Sequence, residues 1–166
     1  MATFVVPFRP GGKTRLAHHA VLAEAMLADV VEACEAVGPV IVCDRPGGQG
    51  EALRATLAEL DGAVAIVNAD LPCASAADLE RLVAAAPAVV AAADGTTNAL
   101  GLSAPALFRP LYGPGSAERF LASAPSRLVE IPNLVEDVDT LADLHRLDGR
   151  LGPHTAAALD RLAAVT

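Results

Sequence analysis

The 166-residue sequence has very few aromatic side chains: no Trp, one Tyr and four Phe, although 53% of its residues are hydrophobic. A core of this composition is filled mainly by Ala, Val and Leu, as is typical of helices packed on a sheet. The shortage of aromatic residues therefore argues against a β-sandwich with large aromatic anchors. The length and the lack of internal repeats predict a single domain over residues 1–166.

Cysteine is also scarce, and its spacing excludes several kinds of site. Cys34, Cys43 and Cys73 contain no CxxC pair and are odd in number, as expected for a reduced cytoplasmic protein. The four histidines share no ligand spacing with one another or with the cysteines, which argues against zinc. The sequence has no GxSxG elbow, so a covalent hydrolase is not supported.

An excess of positive charge and long apolar runs are absent as well. The net charge is -8 and the basic residues are scattered, which argues against a nucleic-acid partner. The most apolar stretch, LVAAAPAVVAAA, is far shorter than the ~20 residues of a membrane span. The first basic residue follows the apolar run of MATFVVPFRP, the wrong order for a secretory signal. We therefore expect a cytoplasmic protein that binds no membrane.

Apolar runs of strand length alternate with segments of helical periodicity along most of the chain. The predicted strands are TFVVPF, PVIVCD, AVAIV, AVVAAAD, ALGLSA and RLVEIP. The predicted helices cover 16–37, 51–60, 77–86, 106–111, 117–124, 141–147 and 155–164, and Ser75 with Asp78 forms the pattern of a capping box. Strands separated by helix-length crossovers predict a three-layer α/β domain with a largely parallel sheet.

The most unusual polar segments follow the predicted strands. They read RPGGKTR, DRPGGQG, NADLP, DGTTN and VEDVDT. Ligands of such sheets bind beyond the carboxyl ends of the strands. The sequence therefore predicts a binding site at this edge of the sheet.

The first of these loops contains GGKT but is not a Walker A motif, because Pro7 stands where that motif requires glycine. Gly11 and Gly12 nevertheless allow a close approach of the backbone to a ligand. Lys13 and Arg15 can neutralise a triphosphate near the start of the following helix. From the residues alone, a phosphate-binding loop and a solvated basic loop remain equal alternatives.

Asp70, Asp137 and Asp139 are the acids best placed to bind a divalent cation. If VEDVDT is extended, Asp137 and Asp139 project to the same side of the chain. Mg²⁺ is commonly held by one or two carboxylates together with substrate phosphates. The alternative is a helix cap for LADLHRL within a solvated turn.

The segment GPGS, residues 113–116, precedes a predicted helix. Ser116 is a candidate cap of that helix, and the loop amides are a candidate anion pocket with Arg119 one turn further on. Both interpretations remain open at this point.

Together these motifs resemble the 2-phospho-L-lactate guanylyltransferase family of coenzyme F-420 biosynthesis, which includes the phosphoenolpyruvate guanylyltransferases. The resemblance runs from Phe4 to Leu144 and is carried by VPFRPGGKTRLA, GGQGEAL, NADLP, DGTTNALGL, FRPLYGPGSAERFL and VEDVDTLADL. It implies a Rossmann-like nucleotidyltransferase fold with a mostly parallel mixed sheet. Broader relatives include the molybdenum cofactor guanylyltransferases, and a nucleotide-binding protein without turnover is a further alternative.

The resemblance implies transfer of GMP from GTP to the phosphate of a three-carbon acid, with release of diphosphate. It places Mg²⁺ on Asp70 and on Asp137 or Asp139. Lys13 and Arg15 would stabilise charge on the α-phosphate and on the departing diphosphate. The resemblance also implies a homodimer and transfer of the product to the next enzyme of the pathway.

The remaining implied contacts divide between the two substrates. Those to the nucleotide fall on Pro7, Gly11, Gly12, Lys13, Gly48, Gln49 and Gly50, and those to the acceptor acid on Thr97, Asn98, Gly113, Ser116 and Arg119. The chain departs from the family pattern in having Arg9 where Lys is usual and Phe120 where His is frequent. It is also shorter than usual between Asp44 and Glu51.

Overall fold

A computed structural model of the chain describes residues 1–10, 16 and 20–165. Its strands are β1 (Thr3–Pro7), β2 (Val40–Cys43), β3 (Val64–Val67), β4 (Ala88–Ala91), β5 (Thr97–Leu102) and β6 (Arg127–Leu128). Its α-helices are α1 (Ala20–Glu35), α2 (Gln49–Leu57), α3 (Ala76–Ala84), α4 (Ser116–Ser123), α5 (Pro132–Val135), α6 (Leu141–Arg146) and α7 (Pro153–Val165). A single 3₁₀ turn covers Pro105–Leu107.

The six strands form one mixed sheet in the order β2-β1-β3-β5-β4-β6. The pairs β1–β2, β1–β3 and β4–β6 are parallel, whereas β5 is antiparallel to both of its neighbours. The short connection between β4 and β5 explains the reversal, because a parallel pair would need a longer crossover. The predicted mostly parallel mixed sheet is therefore confirmed.

Helices cover both faces of the sheet, as the three-layer prediction requires. Phe4 and Val6 of β1 are buried in one apolar cluster, which includes Val30 of α1 and Leu79 of α3. Val5, which lies between them, is buried in the cluster on the opposite face with residues of α2 and α4. This alternation follows from the opposite directions of successive side chains in a strand.

Helix α7 packs against α1, and a buried acid fixes its first turn. Asp29 of α1 is 5% exposed. Its carboxylate accepts hydrogen bonds from the backbone amides of His154 and Thr155 at 2.9 and 2.8 Å and from the Thr155 hydroxyl at 2.5 Å. Asp29 therefore satisfies amides at the start of a helix that lies far away in the sequence.

Several predicted boundaries differ from the structure. α2 begins at Gln49, two residues before the predicted start. The strand predicted for RLVEIP is limited to Arg127–Leu128, because α5 begins at Pro132, a residue well suited to the first turn of a helix. The prediction that Thr97 and Asn98 belong to a loop is wrong, since both lie in β5. The capping box of Ser75 and Asp78 is confirmed.

All three cysteines are buried and none of them forms a disulfide. Burial, together with the nearby charge of Glu35, raises the pKa of Cys34 to about 12, so its thiol stays protonated. Among the helices that the structure describes, none combines the length and the hydropathy needed to cross a bilayer.

Candidate active site

A cleft of about 470 Å³ opens at the carboxyl ends of β1, β2 and β3. The loops that follow β1 and β2 are tied together across it, because the Phe8 amide donates to the Cys43 carbonyl at 3.0 Å and the Arg9 guanidinium donates to the Gly47 carbonyl. The cleft is lined mainly by these loops and by the chain after β3, including Phe8, Arg9, Asp44, Gly47, Gln49, Asn68 and Asp70. It therefore lies where the sequence predicted a site.

The three predicted metal-binding acids come together beside this cleft. Asp70, Asp137 and Asp139 each offer a carboxylate oxygen, and these oxygens lie within 4.8 Å of one another. Val138 is fully buried between the two later acids, so Asp137 and Asp139 project to the same side, as predicted for an extended segment. Their role as metal ligands stays a prediction.

The alternative role of these acids, capping α6, is not needed. The N-terminus of α6 is capped by Thr140 and Asp143, which form a reciprocal capping box. The Thr140 amide donates to the Asp143 carboxylate at 2.8 Å, and the Asp143 amide donates to the Thr140 hydroxyl at 3.3 Å. The helix therefore obtains its cap from residues after Asp139.

The electrostatics of the cluster favour a bound cation. Burial raises the pKa of Asp137, the negative charge of Asp70 raises it further, and Asp139 adds a smaller effect of the same sign. A hydrogen bond from Asn98 acts in the opposite direction. The repulsion between negative charges held this close is reduced when the cluster binds a proton or a positive ion.

Asn98 lies at the start of β5 and is 3% exposed. Its side-chain nitrogen is within hydrogen-bond distance of the Leu134 carbonyl at 3.0 Å, the Val135 carbonyl at 3.1 Å and a carboxylate oxygen of Asp137 at 3.4 Å. The amide thus faces the end of α5 and the first acid of the VEDVDT segment.

A series of polar contacts joins the nucleotide side of the predicted site to the acceptor side. The Gln49 amide donates to the Asn68 side-chain oxygen at 3.3 Å, and the Asn68 amide donates to the Thr97 carbonyl at 3.1 Å. The Thr97 hydroxyl in turn lies 2.9 Å from the Ser116 hydroxyl. Sequence reasoning missed Asn68, although it stands in the NADLP motif next to the expected metal ligand.

Ser116 is not the cap of α4, so that interpretation is wrong. The cap position is occupied by Gly115, whose φ of 70° is left-handed, and Ser116 is the first helical residue. The Ser116 side chain is fully buried and its hydroxyl is used by Thr97. Within the predicted anion pocket at residues 113–116, the loop backbone is therefore more accessible to an acceptor than the Ser116 side chain.

Arg119 folds back over the loop from which α4 emerges. Its guanidinium donates to the carbonyls of Leu111 at 2.9 Å, Pro114 at 2.6 Å and Tyr112 at 3.4 Å. Phe120 packs against two aromatic rings, with its ring centroid 5.2 Å from that of Tyr112 and 6.3 Å from that of Phe108. Arg119 and Phe120 therefore both hold the segment that precedes α4.

The predicted nucleotide residues are only partly brought together. Pro7 and Gln49 line the cleft. Gly50 lies against Pro110, and a side-chain carbon at this position would stand 2.8 Å from the Pro110 ring, so this glycine allows α2 to approach the 108–112 segment. Gly48 is the cap residue of α2. Gly11, Gly12, Lys13 and Arg15 lie outside the described residues.

Comparison with known proteins is decisive for the family. No protein-family model matches the chain. It is 33% identical to a phosphoenolpyruvate guanylyltransferase of Streptomyces scabiei, over 96% of both chains, and 34% identical to one of Thermomonospora curvata, over 98% of this chain and 90% of the relative. The chain belongs to the phosphoenolpyruvate and 2-phospho-L-lactate guanylyltransferase family. A 2-phospho-L-lactate guanylyltransferase of Halomicrobium mukohataei is 37% identical over 84% of this chain and 82% of the relative.

The alignment with the Streptomyces scabiei relative spans 208 positions, more than the 166 residues of this chain, so that relative carries segments that are missing here. The family resemblance stated from the motifs is thus confirmed. The prediction that the chain is a guanylyltransferase of the coenzyme F-420 biosynthesis family is confirmed with it. The fold is shared with a Desulfovibrio desulfuricans protein assigned to the nucleotide-diphospho-sugar transferases, at a TM-score of 0.73 and 16% identity over 99% of this chain and 97% of that one.

Proposed function

We propose that this chain transfers GMP from GTP to the phosphate of phosphoenolpyruvate or 2-phospho-L-lactate and releases diphosphate. The observation that carries the proposal is the cluster of Asp70, Asp137 and Asp139 beside a cleft at the carboxyl edge of the sheet. Family relatives named for these two acceptors support it over nearly the full length of the chain.

The nucleotide is proposed to occupy the cleft between the loops after β1 and β2. Its triphosphate would extend toward Asp70, and its base would lie near Gln49 and Gly48 at the start of α2. The volume of about 470 Å³ suits a ligand of this size. Lys13 and Arg15 of the neighbouring loop remain the proposed contacts to the α-phosphate and to the departing diphosphate.

The acceptor is proposed to bind beyond the 113–116 loop and the start of β5. Phosphoenolpyruvate and 2-phospho-L-lactate both carry a phosphate group and a carboxylate group on the same carbon atom. Gly113 and Gly115 have φ values of 118° and 70°, a backbone conformation that can present loop amides to an anion. Thr97, Ser116 and Arg119 would then shape this loop, in keeping with the contacts that they make.

The reaction needs no general base. The acceptor phosphate has a second pKa near ~6, so it is largely a dianion at neutral pH. One of its oxygens attacks the α-phosphorus of GTP, a new phosphorus–oxygen bond forms, and the bond to the β-phosphate oxygen breaks. The electron pair leaves with diphosphate. The main demands on the protein are therefore to align two anions and to neutralise their charge.

The acidic cluster fits Mg²⁺. Among the residues that the structure describes, it offers three carboxylate groups and neither sulfur nor imidazole, which is the donor set that hard cations prefer. Burial, and then the negative charges of Asp70 and Asp139, raise the pKa of Asp137, so a bound cation would stabilise its charged form. Bound Mg²⁺ would reduce the repulsion between the phosphates and stabilise charge on the departing diphosphate. Asp70, Asp137 and Asp139 would hold it.

The reaction is proposed to take place in the cytoplasm, where GTP is available and buried thiols such as Cys34 stay reduced. A homodimer and direct transfer of the product to the next enzyme also stay proposals. Light scattering of the full chain, alone and with that enzyme, would test both.

The function is tested by incubating the full chain with GTP and Mg²⁺ and measuring diphosphate release. Separate reactions contain phosphoenolpyruvate, 2-phospho-L-lactate or 3-phosphoglycerate, and Asp70→Asn serves as the matched control. We expect release with one of the first two acceptors. If the chain binds GTP in calorimetry but releases no diphosphate with any acceptor, it is a nucleotide-binding protein without turnover and the proposal is wrong.

A further inference from the structure

We propose that Asn98 is a positioning residue for the acidic cluster rather than a contact to the acceptor acid. This inference rests on the metal site of the proposed function. It comes from the surroundings of the Asn98 amide, which are formed by the end of α5 and by Asp137.

The position of Asn98 is set by the sheet around it. It lies in β5, which pairs with β3 and with β4, at the point where the register between β4 and β5 shifts. Its backbone carbonyl accepts a hydrogen bond at 3.0 Å from the backbone amide of Asn68 in the NADLP segment. Asn98 is 3% exposed, so an acceptor acid has little access to it. Asn98 is therefore a buried part of the sheet against which the acidic segment packs.

The side-chain amide of Asn98 contacts the C-terminal end of a very short helix. α5 has four residues and ends at Val135, and carbonyls at a helix end lack partners within the helix. The Asn98 nitrogen is 3.0 Å from the Leu134 carbonyl and 3.1 Å from the Val135 carbonyl. These contacts define the point from which the chain continues to Asp137.

The third contact reaches the acid itself. The Asn98 nitrogen is 3.4 Å from the Asp137 carboxylate, which orients one of its oxygens. Carboxylate oxygens of Asp70, Asp137 and Asp139 lie within 4.8 Å of one another, so their negative charges repel one another. An amide that donates to the carboxylate opposes this repulsion and keeps Asp137 close to the other two acids.

Because the amide faces three acceptor oxygens, its polarity is essential. Asn98→Leu keeps the approximate size of the side chain and removes the donor. Asn98→Ser is shorter and cannot reach the same three oxygens. Outer partners that orient metal ligands typically contribute about 10–100-fold to metal affinity. We therefore expect either variant to weaken metal binding by at least about tenfold.

The inference is tested by Mn²⁺ titration of the full chain without nucleotide, with free Mn²⁺ measured by electron paramagnetic resonance. Thr155→Val is the matched control, because it also removes a buried hydrogen bond but lies at the start of α7. All chains are titrated at a temperature at which circular dichroism shows them to be folded. We expect Asn98→Leu and Asn98→Ser to bind Mn²⁺ at least about tenfold more weakly than wild type, and Thr155→Val to bind it within about twofold.

Two results would overturn the inference. One is Mn²⁺ binding by a folded Asn98 variant that equals that of the Thr155→Val control. The other is an increase in the KM for the acceptor with unchanged Mn²⁺ affinity, which would make Asn98 a substrate contact. If wild type itself binds no Mn²⁺, the metal site of the proposed function fails, and this outcome is distinct from the other two.

Discussion

The backbone amide of Val138 donates a hydrogen bond to the carbonyl of Asp70 at 3.0 Å. This bond joins the segment after β3 to the segment after α5. Because Asp137 and Asp139 flank Val138, the same bond brings both of these acids to Asp70. This backbone contact thus links the two parts of the chain from which the candidate metal site is made.

Replacement of Asp70 tests its role in catalysis. Asp70→Asn removes a charged oxygen from the cluster with almost no change in shape. We expect diphosphate release to fall by about 10²–10³-fold, a loss typical of removing one group that stabilises transition-state charge. Unchanged turnover in a folded variant would exclude Asp70 from the mechanism.

Asp137 should lower the stability of the metal-free chain at neutral pH. Its pKa is raised in the folded state, mainly by burial and then by Asp70. Its carboxyl therefore favours the folded state below the unfolded-state pKa, and this contribution is lost as the pH rises through the folded-state pKa. We expect Asp137→Asn to raise the free energy of unfolding at pH 7 by about 0.5–2 kcal/mol.

Urea unfolding in the presence of a chelator measures this effect. The gain from Asp137→Asn should shrink as the pH is lowered below the raised pKa of Asp137, because the wild-type carboxyl then becomes neutral as well. Added Mg²⁺ should stabilise wild type and not the variant. A variant that is less stable than wild type at pH 7 would contradict the stated direction.

Asp29 should contribute to stability without contributing to turnover. Asp29→Ala leaves the first amides of α7 without their acceptor, and we expect a loss of about 2 kcal/mol in the free energy of unfolding. Gly152→Ala should act in the same direction, since its new methyl group would stand 2.3 Å from the Asp29 side-chain carbon. Below the melting transition, kcat of both variants should equal that of wild type.

Replacement of Arg119 should weaken binding of the acceptor and leave binding of the nucleotide unchanged. Arg119→Lys keeps the charge but cannot donate to the Leu111 and Pro114 carbonyls in the same planar arrangement. The loop with Gly113 and Gly115 would then lose part of its support, and we expect the KM for the acceptor to rise by about tenfold. Steady-state kinetics should show the KM for GTP unchanged, and an equal rise in both constants would count against this role.

Sequence reasoning succeeded where the determining interactions are local. The strands were found from apolar runs, the cap of α3 from Ser75 and Asp78, and the common direction of Asp137 and Asp139 from the alternation of an extended chain. These patterns depend on residues a few positions apart, so they can be read directly from the sequence.

The differences arise where distant parts of the chain meet. The left-handed conformation of Gly115 moves the cap of α4 away from Ser116, whose hydroxyl instead meets Thr97 of β5. The acceptors of the Asn98 amide lie 36 to 39 residues further along the chain. No short sequence pattern predicts these contacts.

The reversal of β5 also affects how the protein folds. Thr97 and Asn98 begin this strand, and a short hairpin from β4 delivers them to the edge where β3 ends. Asp70 and Asp137, in contrast, are far apart in the chain and meet only when α5 has docked on the sheet. Contacts between such distant residues form late, because the entropy of closing a long loop opposes them. A divalent cation should therefore recognise the completed fold and no earlier species, so that the rate at which metal-binding capacity appears during refolding reports the docking of α5.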